Sequence, residues 1–103
     1  MNTNERDTKI EYLFKAILSL EDMRECSEFF EDLCTVSEIQ EMSRRLYAAR
    51  LLNTNHVYSD IAERTGLSTA TISRVNKALK YGSEGYIRIL ERVDLMEKAD
   101  KLR

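Results

Sequence analysis

The sequence predicts an all-α domain of six helices, and three observations carry that expectation. The 103 residues include no proline and only three glycines, with 33% charged and 43% hydrophobic residues. A sheet protein would need more Gly and Pro for its turns. Apolar residues recur at helical spacing through one stretch after another. Finally, residues 57–81 have the spacing of two short helices joined by a tight turn, a helix-turn-helix. The length suits one domain, residues 1–103, small but able to build a core.

Residues 1–6 read as a flexible tail. From about Asp7 to Leu18, the positions Ile10, Leu13, Phe14, Ile17 and Leu18 follow i, i+3, i+4, i+7, i+8, an amphipathic helix. Ser19-Leu20-Glu21-Asp22 has the form of a capping box that restarts the chain as a second helix. Its inward residues are expected to be Met23, Cys26, Phe29, Phe30 and Leu33, with Glu21, Asp22, Glu25, Glu28 and Glu31 facing water. Thr35-Val36-Ser37-Glu38 is the cleanest capping box, with Thr35 as N-cap and Glu38 reaching back. The third helix it opens runs to about Asn53. Ile39, Met42, Leu46 and Ala49 form its stripe, widened by Leu51 and Leu52. Asn53 to His56 is a polar connector into the helix-turn-helix. Beyond that motif, Gly82 is a natural terminator and Ser83 a natural cap. A last helix from about Glu84 to Lys101 carries Tyr86, Ile89, Leu90, Val93 and Met96 on one side.

Within the helix-turn-helix, Gly66 supplies a position where positive φ carries no Cβ penalty. Leu67 is a buried plug, and Ser68 caps the second helix. Ala62, four before the glycine, lets the two helices cross closely. Ile72 and Val75, six and nine after it, pack the second helix on the first, and Leu79 continues that side. The opposite side is short, polar and basic: Thr69, Ala70, Thr71, Ser73, Arg74, Asn76 and Lys77. Such a surface suits the major groove of DNA. An ordinary helical hairpin with a solvated outer side is the plainer reading, but several independent spacings agree on the DNA one.

The expected contacts follow from chemistry. Ser68 and Thr69, at the helix N-terminus, would meet a phosphate or base edge. Thr69, Ala70 and Ser73 are the candidate base readers, and Thr71 belongs to the same surface. Ser59 is placed to reach a base or phosphate from the first helix, and Arg74, Lys77 and Lys80 suit phosphate. With readers this short, water and DNA shape share the specificity. The net charge of −2 argues against a nucleic-acid partner only until its distribution is considered. Residues 1–34 hold four basic and nine acidic side chains, whereas residues 57–83 hold four basic and two acidic. The broad apolar stripes of the first and last helices exceed what the motif can cover, which points to burial in a homodimer. A two-fold dimer sets its recognition helices about 34 Å apart, one turn of DNA.

Other classes find less support. Cys26 and Cys34, on one helix, would lie about 12 Å apart, too far for a disulfide, and both are expected reduced. With a single histidine, His56, there is no metal set, and no GxSxG or phosphate-loop signature points to an enzyme. No apolar run spans a membrane, and the polar start MNTNERD is unlike a secretory signal, so the cytoplasm is the expected location. The alternative function is a protein-interaction module that keeps the helix-turn-helix as a scaffold without reading DNA.

Residues Leu33 to Tyr86 resemble the tryptophan repressor superfamily, and more closely its YerC/YecD-type branch of small repressor-like proteins. The carriers are Asp32-Leu33-Cys34-Thr35 leading to Glu38-Ile39, then Arg45-Leu46, the run from Thr65 to Val75, and Leu79 to Tyr86. The resemblance implies a TrpR-like, intertwined all-helical homodimer that represses transcription by placing paired recognition helices on an operator. It also implies a ligand pocket between two arginines, one matching Arg74 and the other Arg44 or Arg45. Where tryptophan binders have a glycine this chain has Val75, and where they have a serine it has Ala78. Val75 would crowd an indole, and Ala78 removes a polar partner whose loss costs about 1–3 kcal/mol. No cofactor is therefore expected, and tryptophan as corepressor is disfavoured.

Overall fold

Capping side chains set four of the six helix starts. The structure, a computed structural model, describes residues 7–102, so the expected tail at 1–6 lies outside it. Six helices follow in order: α1 Thr8–Leu18, α2 Met23–Leu33, α3 Val36–Asn53, α4 Tyr58–Thr65, α5 Thr69–Tyr81 and α6 Gly85–Lys101. There is no strand among the described residues. The chain forms two compact units, divided between Ile39 and Gln40.

In the first unit, Asp7 caps α1 by accepting from the Lys9 amide at 2.9 Å. Ser19 ends this helix and does not begin the next: its amide bonds the Lys15 and Ala16 carbonyls, and its hydroxyl donates to Ala16 at 2.6 Å. The cap of α2 is Asp22, whose carboxylate accepts from the Glu25 amide at 2.8 Å, while Glu25 accepts from the Glu21 amide at 3.1 Å. The expected box at Ser19 is thus displaced by three residues. A hydroxyl can satisfy the orphan carbonyls of the helix just completed, whereas a carboxylate favours the amides at a helix N-terminus. The Thr35 box forms as expected, Glu38 N–H donating to the Thr35 hydroxyl at 3.1 Å and Thr35 N–H to Glu38 Oε1 at 2.8 Å. Of the inward set expected on α2, Cys26, Phe29 and Phe30 are half-buried, but Met23 is 85% exposed and Leu33 also open. Neither α1 nor α2 buries a single residue.

The second unit holds the core. Ala48, Ala49, Ile61 and Ile72 are fully enclosed, joined by Leu51, Leu67 and Val75, with Leu52, Tyr58, Ala62, Tyr86 and Leu90 packed at the edge. Of the expected α3 stripe, Ala49 and Leu51 are buried and Leu52 is half-buried, whereas Met42 and Leu46 remain exposed. A helical stripe is covered only where another element lies over it. On α6, Tyr86 and Leu90 are half-buried while Ile89, Val93 and Met96 stay open.

The turn into α6 also departs from expectation. Ser83 does not cap the helix. The cap position is Glu84, in the left-handed region at φ 67° and with no side-chain cap bond. Gly82 ends α5 with negative φ, and a Cβ there would overlap the Ala78 carbonyl oxygen.

Candidate nucleic-acid interface

Two helices and the turn between them place the candidate readers. α4 closes at Gly66, whose φ of 73° is left-handed and whose amide bonds the Ala62 carbonyl at 2.8 Å. Buried Thr65 ties the turn together: its hydroxyl donates to the Ile61 carbonyl at 2.7 Å and accepts from the Leu67 amide at 3.2 Å. This role was missed from the sequence, where a threonine beside the glycine reads as one more polar turn residue. Leu67 is buried, and Ser68 caps α5 by accepting from the Thr71 amide at 3.1 Å.

The two sides of α5 then separate. Ile72, Val75 and Leu79 are buried, while Thr69, Ala70, Ser73, Arg74 and Lys77 are exposed on the outer side. Ser59 is exposed in the first turn of α4. Three expected contact residues sit differently. The Ser68 hydroxyl is spent within the cap, donating to Thr71 Oγ1 at 3.0 Å. Thr71 is half-buried and turns toward a cavity beside the helix. Lys80 is exposed but lines a separate groove with Asn53, Asn55 and Glu84. Thr69, Ala70, Ser73, Arg74 and Lys77 are the group that the fold brings together.

The cavity beside α5 has a volume of about 210 Å³ and is lined by Arg45, Thr71, Arg74, Val75, Ala78 and Tyr86. Arg45 and Arg74 thus share its wall, and Arg44 does not. Arg45 also pairs with Glu41 at 3.4 Å. Val75, only 4% exposed, belongs to the core as well. Tyr86, absent from the expected site, was legible as part of the Tyr81–Tyr86 ending and of the apolar side of the last helix.

The family model described as Trp repressor protein matches residues 8–94. The chain belongs to the Trp repressor family. It is 49% identical over 88 residues to the uncharacterized protein YerC of Bacillus subtilis (strain 168), a match covering 85% of each chain. A TrpR-like protein from Eubacterium eligens ATCC 27750 shares the structure with a TM-score of 0.85 and 50% identity, over 90% of this chain and 96% of that one. A Staphylococcus aureus protein described provisionally as a Trp repressor gives 0.82 and 46%, over 86% and 89%. The YerC-type, TrpR-like character expected from the sequence is therefore established.

Within this Trp repressor family member, Arg45 lines the cavity with Arg74, and Arg44 is not among its lining residues. Among the described residues there is no His, Cys, Asp and Glu cluster able to hold a metal, and no helix is long and apolar enough to cross a membrane.

Proposed function

We propose that this chain is a sequence-specific DNA-binding transcriptional regulator, a repressor that works as a homodimer through α5 in the major groove. The observation that carries this is the division of α5. One side is sealed into the core by Ile72, Val75 and Leu79, and the other presents Thr69, Ala70, Ser73, Arg74 and Lys77 to solvent. Family membership and the Staphylococcus aureus neighbour support the same reading. Thr69 and Ala70 offer methyl groups to thymine, Ser73 a hydroxyl to a base edge, and Arg74 and Lys77 cations to phosphate. The half-buried Thr71 and the cap-bound Ser68 serve by holding the helix start, whose free amides face an anion.

Regulation in this reading needs no tryptophan. Val75 packs into the core where an open space would be required, and Ala78 offers no hydrogen-bond partner. The activity is binding and not catalysis.

Selection from a pool of random duplexes by the purified protein tests the proposal. A two-fold symmetric motif should be enriched, and Ser73→Ala should alter its consensus. A scaffold that only binds proteins would enrich none.

A further inference from the structure

The cavity beside α5 holds a charge arrangement that the reading side of that helix does not account for. Arg45 from α3 and Arg74 from α5 both line it, and among the described residues no carboxylate does. The other polar cavities differ. One between α3 and α6 is lined by Glu91, Asp94 and Glu97 beside Arg50, and the Lys80 groove includes Glu84. Two cations sharing a wall repel each other, whereas an anion placed between them is attracted by both. Guanidinium groups match phosphate in particular, because each planar fork can give two parallel N–H···O bonds.

The remaining contacts suit the same guest. Arg74 has no carboxylate partner among the described residues, so its donors are free. Arg45 pairs with Glu41, four residues earlier on α3, at 3.4 Å on an open surface, a contact weak enough for a phosphate to displace. Thr71, half-buried in the wall, accepts from the Ser68 hydroxyl at 3.0 Å, which leaves its own hydroxyl proton for a guest. The volume of about 210 Å³ admits a phosphate group with accompanying water.

Position decides where the phosphate comes from. Arg74 belongs both to this wall and to the exposed side of α5, with Ser73 and Lys77. The cavity therefore adjoins the surface that faces DNA in the proposed function. Contacts to the phosphates flanking the bases fix the register of a protein on its duplex.

We propose that the cavity is a phosphate seat, in which Arg45 and Arg74 clasp one backbone phosphate of the operator and Thr71 donates its hydroxyl to it. This rests on the DNA-binding function proposed above. It extends the DNA contact onto α3, outside the helix-turn-helix, and gives the paired arginines an oxyanion in place of an aromatic corepressor.

The experiment measures affinity for the duplex selected by the unaltered protein across a salt series. Separately, the free protein is titrated with inorganic phosphate at constant ionic strength, with the arginine Nε–H signals followed by NMR. Arg45→Ala should weaken operator binding about tenfold at low salt and lower the salt slope by about one, alike for selected and unrelated duplexes. Arg45→Lys should keep the slope but recover only part of the affinity, because the charge stays and the fork is lost. Glu41→Gln, which releases Arg45, should tighten binding, and that gain should vanish in the Arg45→Ala background. A gain that persists there reflects net charge alone and counts against the seat.

The phosphate titration separates the sources. A saturable shift of the Arg45 and Arg74 signals, with the operator slope unchanged in Arg45→Ala, would assign the seat to free phosphate and overturn the operator contact. Neither a slope change nor a shift would overturn the seat outright. Should the unaltered protein select no duplex, the DNA-binding function fails and the titration alone decides the seat. If Arg45→Ala fails to fold, Arg45→Gln takes its place in both arms.

Discussion

Gly66 shows how one backbone angle organises the motif. Its φ of 73° belongs to the left-handed region, and a Cβ built there would meet nothing within 4 Å. The need for glycine is therefore conformational and not steric. Gly66→Ala should cost about 1–2 kcal/mol, the strain of a left-handed L-residue, and Gly66→Asn less, as read from denaturant unfolding midpoints. Equal stability of all three proteins would refute this account. Gly82 is the converse case. Glycine at a helix end was legible in the sequence, but its reason was not: the Ala78 carbonyl leaves no room for a side chain. Left-handed backbone falls instead on Asn55 and Glu84, which no local pattern announces.

At the scale of the element, the N-terminal cap of α3 carries a pH dependence whose sign is set by its hydrogen bonds. The Thr35 amide first, and the Thr35 hydroxyl second, hold the Glu38 carboxyl below its ordinary value. A carboxylate lowered in this way stabilises the fold above the unfolded-chain pKa. That contribution fades as pH falls through the folded value. The Thr35 amide proton, followed by NMR, should titrate below the usual glutamate value of about 4.3 and lose that titration in Glu38→Gln. A midpoint at the ordinary glutamate value would refute the reciprocal box.

Caps were unequally legible for a physical reason. Thr35 and Glu38 have no competing partners nearby, so the pattern alone located the helix start. At Ser19 the carbonyls of α1 compete for the hydroxyl, and Asp22 takes over the cap. In α5 the three- and four-residue spacing of Ile72, Val75 and Leu79 revealed the inner side. It did not reveal that Thr71 would face the Arg45 cavity, because the neighbour across that cavity belongs to α3.

At the scale of the molecule, the exposed apolar side chains make a dimer the expected state. Leu18 and Met23 are 84% and 85% exposed, and Tyr12, Met96 and Leu102 are also open. Leaving so much large apolar surface in water is unfavourable by about 25 cal/mol per Å². Analytical ultracentrifugation at micromolar concentration should give about twice the chain mass of 12.0 kDa. Leu18→Glu combined with Met23→Glu should shift the protein toward monomer. A clean monomer for the unaltered protein would remove the two-fold geometry on which paired recognition helices depend.

The sequence by itself determined what is local: six helices, the left-handed turn at Gly66, the Thr35 box and the inner side of α5. Each follows from residues within a few positions of one another, where periodicity, capping and backbone freedom act. Only the tertiary structure decided which stripes would be covered and that Arg45 and not Arg44 shares a wall with Arg74. Those outcomes depend on which elements meet in space, and residues far apart in the chain carry no mark of their future neighbours.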